Sequence, residues 1–196
     1  MKELSYQVGL LVGSNLSNQV NPEDMDLLSL ARGIEDAING VADDTVMDMA
    51  ARAVQSYMQD VLTARAKESV KTEKDFFEQN AKRLEIVKRP SGLQYEILKA
   101  GEGKVPTAKN TVLAHYEGRL LDGSIFDSSI MRGQPAQFPV SNLISGWQEA
   151  LQIMPVGSKW RLYIPHNLGY GERGAGNDIP PFATLIFDLE LLDIVN

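Results

Sequence analysis

Residues 111–118 read Thr111-Val112-Leu113-Ala114-His115-Tyr116-Glu117-Gly118, a segment in which apolar or small side chains alternate with the others. This two-residue period predicts a half-buried β-strand. The alternation recurs at residues 92–98 and 159–164, and an apolar run at 184–193 closes the chain. One helical segment, residues 143–151, interrupts these strands. The order predicts an antiparallel sheet packed on a short helix, and therefore an α+β domain.

Proline and glycine divide the chain into two parts. Proline is absent between Pro22 and Pro90, and glycine is absent between Gly40 and Gly92, whereas both are frequent afterwards. Because these residues interrupt regular structure, the first part is predicted to be mostly helical and the second rich in turns. Three segments are expected: a helical dimerisation domain over 1–66, the solvent-exposed part of a long connecting helix with a linker over 67–90, and the sheet domain over 91–196.

Two short helices are predicted before the long one. The first runs from Leu4 to Leu16. The second follows Asn21, a good N-cap residue, with Pro22 at its first helical position. It is predicted to end at Asn39-Gly40, because glycine after a helix is a common C-terminal signal.

The third helix is predicted to start at Asp43 or Asp44 and to continue into the eighties. Past Ala66 its sequence is strongly charged, which is typical of a solvated surface. The helical part either folds on its own as three helices or is a dimerisation module in which two chains bury each other's apolar faces. The second arrangement is favoured, because helices beside Gly9 and Gly13 leave more apolar surface than one small chain can hide.

The composition excludes several classes of function. The 196 residues include 19 Lys and Arg against 26 Asp and Glu, a net charge of −7, with two His and no Cys. Disulfides, thiolate catalysis and sulfur-ligated metals are therefore excluded, and no metal or cofactor is expected. The negative charge disfavours nucleic acid and anionic membranes as partners. The sequence contains no run of about 20 apolar residues, which is the length needed to span a bilayer.

The first residues, Met1 to Ser5, lack the basic and apolar regions of a signal peptide. This predicts a cytoplasmic protein. A processed mature form would begin in the same way, so the periplasm is the alternative.

The usual arrangements for covalent catalysis are missing. There is no Gly-x-Ser-x-Gly motif, His115 lies in a predicted strand, where a structural role is favoured, and His166 has no obvious partner. The glycine-rich residues 171–176 precede prolines rather than a helix, so no phosphate site is predicted. A set of aromatic residues remains in the second part: Tyr116, Phe126, Phe138, Trp147, Tyr163, Tyr170, Phe182 and Phe187.

Several ordered motifs in the second part resemble those of the FKBP-type peptidyl-prolyl cis-trans isomerases. They are Val112-Leu113-Ala114-His115-Tyr116-Glu117-Gly118, Leu121-Asp122-Gly123-Ser124-Ile125-Phe126-Asp127-Ser128-Ser129, Phe138-Pro139-Val140 through Ile144-Ser145-Gly146-Trp147, Met154-Pro155-Val156-Gly157, Tyr170-Gly171 and Ile179-Pro180-Pro181-Phe182-Ala183-Thr184-Leu185. The helical part resembles, through Tyr6-x-x-Gly9-x-x-x-Gly13, the dimerisation domain of the bacterial branch that includes Mip, FkpA and FklB. The resemblance implies an isomerase that acts on proline-containing unfolded or partly folded proteins as a chaperone-like homodimer. The alternative is a chaperone or binding module whose isomerase activity is incidental.

The resemblance also implies a pocket and the residues that form it. Catalytic positions fall on Tyr116, Phe126, Asp127, Trp147, Tyr170 and Phe187, and substrate-binding positions on Leu143, Ile144, Arg132, Phe138 and Ile179. Trp147 would be the floor under the proline ring, while the Ile144 backbone N–H and the Tyr170 hydroxyl would hold substrate carbonyls. For Asp127, orienting Tyr116 and direct catalysis both remain open. Ala136 stands where eukaryotic members have an aromatic wall, so rapamycin-like macrolides are expected to bind, but more weakly.

Overall fold

The computed structural model describes residues 2–17, 20 and 22–195. The chain forms two compact units, residues 1–65 and residues 66–196. The first unit contains helices α1 (Lys2–Ser17) and α2 (Leu27–Ile38), a short 3-10 helix (Pro22–Asp24), and the beginning of α3 (Asp44–Asn80). The remainder of α3 belongs to the second unit. The segment boundaries drawn from the sequence at residues 66 and 90 stay a prediction.

Helix α2 begins later than predicted. Its N-cap is Asp26, whose carboxylate accepts a hydrogen bond of 2.7 Å from the Ser29 backbone N–H. Pro22 begins only the short 3-10 helix, and the predicted cap Asn21 lies outside the described residues. The start at Pro22 was wrong because an acidic cap four residues later satisfies the free N–H groups of the first turn. The predicted end is confirmed, since Asn39 is the C-cap and Gly40 has a φ of 68°.

The long helix α3 ends at Asn80, close to the predicted position. The expectation of a solvent-exposed stretch past residue 66 is wrong for one of its faces, because Glu73 and Asn80 are buried. The Asn80 side-chain amide donates to the Gln94 side chain at 2.9 Å, and the Gln94 amide donates to the Phe77 carbonyl at 3.0 Å. Hydrogen bonds to distant residues thus compensate for burying polar side chains that local composition assigns to solvent.

The second unit contains an antiparallel sheet of seven strands. The strands are β1 (Val87–Lys88), β2 (Gln94–Lys99), β3 (Thr111–Arg119), β4 (Ile125–Ser128), β5 (Ala136–Pro139), β6 (Lys159–Ile164) and β7 (Leu185–Ile194). Their order is β1-β2-β6-β7-β3-β4, and β5 also pairs with β3. Helix α4 (Ser145–Leu151) lies between β5 and β6 in the chain. Helices followed by an antiparallel sheet with one short helix confirm the predicted α+β class.

The core lies between the sheet and α4. Alternate residues of β3 and β7 are buried, including Tyr116 and Phe187, because successive strand side chains face opposite sides of the sheet. From α4, Trp147 joins them. A Cβ on the preceding residue, Gly146, would lie 2.6 Å from Ile164 Cγ2, so only glycine allows the helix to approach the sheet this closely.

Candidate active site

A cavity of about 190 Å³ opens at the edge of this core. Nine of the eleven predicted site residues line it: Tyr116, Phe126, Asp127, Phe138, Leu143, Ile144, Trp147, Tyr170 and Phe187. They come from β3, β4, β5, α4, β7 and the connecting segments, so the folded sheet brings together positions spread over some seventy residues of sequence. The structure places these side chains around one pocket, while their individual roles stay predictions.

The pocket is built around the indole of Trp147. The rings of Phe187, Tyr116 and Phe138 meet it edge to face, at centroid distances of 5.2, 5.4 and 5.8 Å. Phe126 meets Phe187 in the same way at 5.4 Å. Edge-to-face contacts fix the orientation of neighbouring aromatic rings. The result is a rigid apolar floor with aromatic walls.

A glycine leaves space for two of these walls. Gly118 in β3 pairs with Phe187 of β7 on one side and with Asp127 of β4 on the other. A Cβ at Gly118 would lie 2.6 Å from Phe126 Cζ and 2.6 Å from Phe187 Cε1. The two rings therefore occupy the volume that any other residue at this position would fill.

Three polar side chains form a network at the rim. The Tyr116 hydroxyl donates to Asp127 Oδ2 at 2.5 Å, and Arg132 Nη2 donates to the Tyr116 hydroxyl at 2.7 Å. Arg132 also forms an ion pair with Asp127. Burial alone raises the pKa of Asp127, but the hydrogen bonds from Tyr116 and Arg132 outweigh it and hold the pKa below its usual value. Asp127 is therefore ionised at neutral pH.

Burial and the Asp127 carboxylate together raise the pKa of Tyr116, although Arg132 opposes them. Tyr170, half-exposed beside the pocket, also has a raised pKa, first because it is desolvated and second because of the Asp127 charge. Both hydroxyls therefore remain protonated and able to donate hydrogen bonds.

Several donors in the pocket have no hydrogen-bond partner among the residues that the structure describes, and the buried indole N–H of Trp147 is one of them. The backbone N–H of Ile144, which precedes the first turn of α4, makes no hydrogen bond there, and neither does the Tyr170 hydroxyl. These are the two groups that the resemblance assigns to substrate carbonyls. Their availability agrees with that assignment without testing it.

Two predicted residues do not line the cavity. Arg132 contacts the pocket only through Tyr116 and Asp127. Ile179 is buried in the core and forms an isolated bridge with Ala175. Conversely, Asn142 lines the cavity and was not predicted. Its position directly before Leu143, a predicted substrate-binding residue, was the only available signal.

Neither histidine reaches the pocket. His115 Nδ1 lies 3.0 Å from the hydroxyl of buried Ser129, which also accepts the Tyr116 backbone N–H at 2.8 Å. His166 has a partner that the sequence did not indicate, because its Nδ1 lies 2.7 Å from Glu73 Oε1.

In the described part of the chain, no three His, Asp or Glu side chains are grouped to bind a metal ion. Within the same residues, no helix is long and apolar enough to cross a membrane.

This arrangement suits a reaction that needs no nucleophile. Rotation about an X–Pro bond is slow because it breaks amide resonance, at a cost of about 18–20 kcal/mol. The twisted transition state is less dipolar than the planar amide. An apolar aromatic pocket therefore favours it relative to the ground state, and fixed donors can stabilise the rotated carbonyl.

The comparisons with known proteins agree on one family for both parts of the chain. The family model described as FKBP-type peptidyl-prolyl cis-trans isomerase matches residues 102–192, and the model for the domain amino terminal to such isomerases matches residues 1–97. The FKBP-type 22 kDa peptidyl-prolyl cis-trans isomerase of Escherichia coli (strain K12) is 44% identical over 200 residues, which cover 98% of this chain and 95% of that protein. The outer membrane protein MIP of Legionella longbeachae is 37% identical over 202 residues, covering 98% and 84%.

Among solved structures, the crystal structure of FkpA from Escherichia coli aligns with a TM-score of 0.81 and 32% sequence identity. The alignment covers 98% of this chain and 95% of that one. The likeness therefore extends over both the helical part and the sheet domain.

Proposed function

The chain belongs to the FKBP-type peptidyl-prolyl cis-trans isomerases and catalyses the cis–trans isomerisation of X–Pro bonds, and we propose that it does so as a homodimer on unfolded or partly folded proteins. The aromatic pocket carries the catalytic part of this proposal. The helical unit carries the part that concerns the dimer.

In the proposed mechanism, the proline ring lies on Trp147 between the walls formed by Phe126 and Phe187. The Ile144 N–H and the Tyr170 hydroxyl hold substrate carbonyls, and Asp127 with Arg132 orients Tyr116. Desolvation in the pocket stabilises the less dipolar twisted amide. No bond to the protein forms or breaks.

One observation supports the dimer most directly: of the described residues before Ala66, none is buried. Leu28 and Ile38 on α2 are 83% and 79% exposed, and Leu10 and Leu11 on α1 are also exposed. A folded unit in which no described large apolar side chain is fully buried leaves a surface of the kind that protein partners cover.

A second copy of the chain is the occupant we propose for this surface. A Cβ at Gly9 or Gly13 on α1 would meet no atom within 4 Å, so packing within this chain does not require either glycine. Small residues there allow the backbone of a partner helix to approach closely. Two pockets in one dimer would also engage one client at two points and raise its apparent affinity without new contacts.

Sedimentation equilibrium at micromolar concentration tests this proposal. The wild type is expected to be a dimer, and Leu10→Glu and Ile38→Glu are expected to shift it towards monomer, because a charge would be buried in the interface. Leu84→Glu is the matched control, since Leu84 is fully exposed but belongs to the second unit. A monomeric wild type would overturn the proposal.

The Phe126→Ala variant separates isomerisation from client binding. We expect it to lose most of its acceleration of proline-limited refolding while it still suppresses aggregation of the same client. If refolding assistance is unchanged in this variant although its peptide isomerase activity is lost, isomerisation is incidental, and the alternative of a binding module holds.

Rapamycin-like macrolides are proposed as weak ligands of the same pocket. The floor and walls are present, but Ala136 is small, and residues 174–178 contain no bulky side chain. Titration with rapamycin, followed through Trp147 fluorescence, tests this. Absence of saturable quenching would overturn it.

A cytoplasmic location, with the periplasm as the alternative, stays a prediction that cell fractionation can test.

A further inference from the structure

Glu73, on α3, is a buried carboxylate that the pocket residues do not explain. It is 9% exposed. Its Oε2 accepts hydrogen bonds from the His166 backbone N–H at 2.7 Å and from the Thr184 hydroxyl at 2.9 Å. Its Oε1 lies 2.7 Å from His166 Nδ1. Three donors converge on one side chain, so its burial is fully compensated.

Both partners of Glu73 belong to segments that lead to the pocket. His166 begins the short 3-10 helix His166–Leu168, which directly precedes Gly169 and Tyr170. Thr184 is the last residue before β7, which carries the pocket wall Phe187. One carboxylate therefore joins two segments that reach the pocket separately.

The connection to Tyr170 continues through the backbone. The His166 carbonyl accepts hydrogen bonds from the Gly169 N–H at 3.0 Å and from the Gly171 N–H at 2.9 Å. These two residues flank Tyr170. The Gly171 carbonyl in turn accepts the Phe182 N–H at 3.0 Å. His166 is thus fixed by Glu73 on one side and fixes both neighbours of Tyr170 on the other.

We propose that Glu73 is a positioning residue of the isomerase, which holds the segment 166–171 so that Tyr170 lines the pocket. The inference rests on the proposed role of Tyr170 at the substrate. It places a determinant of activity on the long helix, outside residues 102–192 that match the isomerase family model.

This role requires the size and the hydrogen-bonding atoms of the Glu73 side chain rather than its negative charge. Glutamine at position 73 keeps one oxygen for the His166 N–H and the Thr184 hydroxyl. Its amide group can donate to His166 Nδ1 once the imidazole carries its proton on Nε2. Alanine leaves all three donors without an acceptor. Glu73→Gln should therefore retain most of the isomerase activity that Glu73→Ala loses.

The first experiment measures kcat/KM of the full chain on a short X–Pro peptide. Glu73→Ala is expected to lower it by about tenfold, because Tyr170 is then held less firmly at the pocket, and Glu73→Gln to recover most of the loss. Glu78→Ala is the control, because Glu78 lies on the same helix, and its side chain is 61% exposed. Hydrogen exchange at the Gly169 and Gly171 amides should accelerate in Glu73→Ala and not in the control.

A double-mutant cycle with Tyr170→Ala distinguishes positioning from a general structural role. If Glu73 acts through Tyr170, Glu73→Ala should cost less than about twofold in the Tyr170→Ala background. Additive losses would overturn the inference. If Glu73→Ala does not fold, Thr184→Val replaces it in the cycle. That variant removes one of the three donors, and the same non-additivity is expected.

The two proposals fail in different ways. A folded wild type without peptide isomerase activity contradicts the proposed function. An active wild type whose folded Glu73→Ala variant is equally active contradicts the positioning role alone.

Discussion

Tyr116 and Asp127 are joined by a hydrogen bond of 2.5 Å from the phenol to the carboxylate, and Arg132 contacts both partners. The Asp127 carboxylate is therefore already engaged by two donors before any substrate binds. This geometry favours an orienting role for Asp127, in which it fixes the ring that forms one wall of the pocket.

Replacing Asp127 by alanine should lower kcat/KM by roughly threefold to tenfold, because the Tyr116 hydroxyl then loses its acceptor and Arg132 its ion pair. Glu102→Ala, an exposed carboxylate on the same domain, is the control and should leave activity unchanged. The measurement is a protease-free peptide assay. A loss of several hundredfold would instead assign Asp127 a direct catalytic role.

The pH profile of kcat/KM should be flat from about pH 5 to pH 9, given the usual values for these side chains. Asp127 has a lowered pKa, so its contribution is complete above its unfolded value and is lost only as the pH falls through the lower folded value. Tyr116 and Tyr170 have raised pKa values and keep their protons at the basic end. A limb near pH 6–7 would indicate that a histidine takes part and would contradict the pocket described above.

Gly118→Ala should distort the aromatic pocket. Its Cβ would overlap Phe126 and Phe187, so both walls must shift. We expect kcat/KM to fall by about tenfold to a hundredfold and the free energy of unfolding by about 1–3 kcal/mol.

Gly33→Ala is the control for that substitution. A Cβ at Gly33 in α2 meets no atom within 4 Å, and alanine favours a helix by about 1 kcal/mol. Activity on a short peptide should not change. Equal activity of Gly118→Ala and the wild type would show that the two rings can move without consequence.

Glu96→Ala should destabilise the sheet domain without reshaping the pocket. Glu96 in β2 is buried, forms an ion pair with Arg83, lies 3.6 Å from Arg161 Nη1 and accepts a 3.3 Å hydrogen bond from the Tyr163 hydroxyl. Without Glu96, partly exposed Arg83 keeps Glu85 and Arg161 keeps Asp188, so the expected loss is that of a buried hydrogen-bonded acceptor, about 1–3 kcal/mol. Denaturant unfolding measures the loss, with exposed Glu85→Ala as control. Equal stability of the two variants would contradict this account.

Strong periodic patterns were readable from the sequence. Strand β6 has the predicted bounds, and β3 and β7 differ from them by one residue at one or both ends, because their alternation marks which side chains are buried. The short strands β4 and β5, with four residues each, were not predicted. Four residues give too little periodicity, and pairing with β3 determines their structure.

The charged part of α3 shows a contact that local sequence patterns could not predict. Glu73 lies among Lys71, Lys74 and Asp75, a composition typical of solvent. Its partners His166 and Thr184 follow 93 and 111 residues later, so no local pattern indicates them. The pocket was predictable as a set through its resemblance to a family, whereas Asn142 and the Glu73 contacts appear only once the chain is folded.

Exchange NMR on a short peptide with one X–Pro bond tests most directly that isomerisation takes place in the aromatic pocket. The wild type should accelerate cis–trans exchange, and folded Phe126→Ala should lose most of that acceleration. Phe76→Ala, which removes an equal ring from α3 outside the pocket, should retain it. Undiminished acceleration by Phe126→Ala, or equal losses in both variants, would contradict the account.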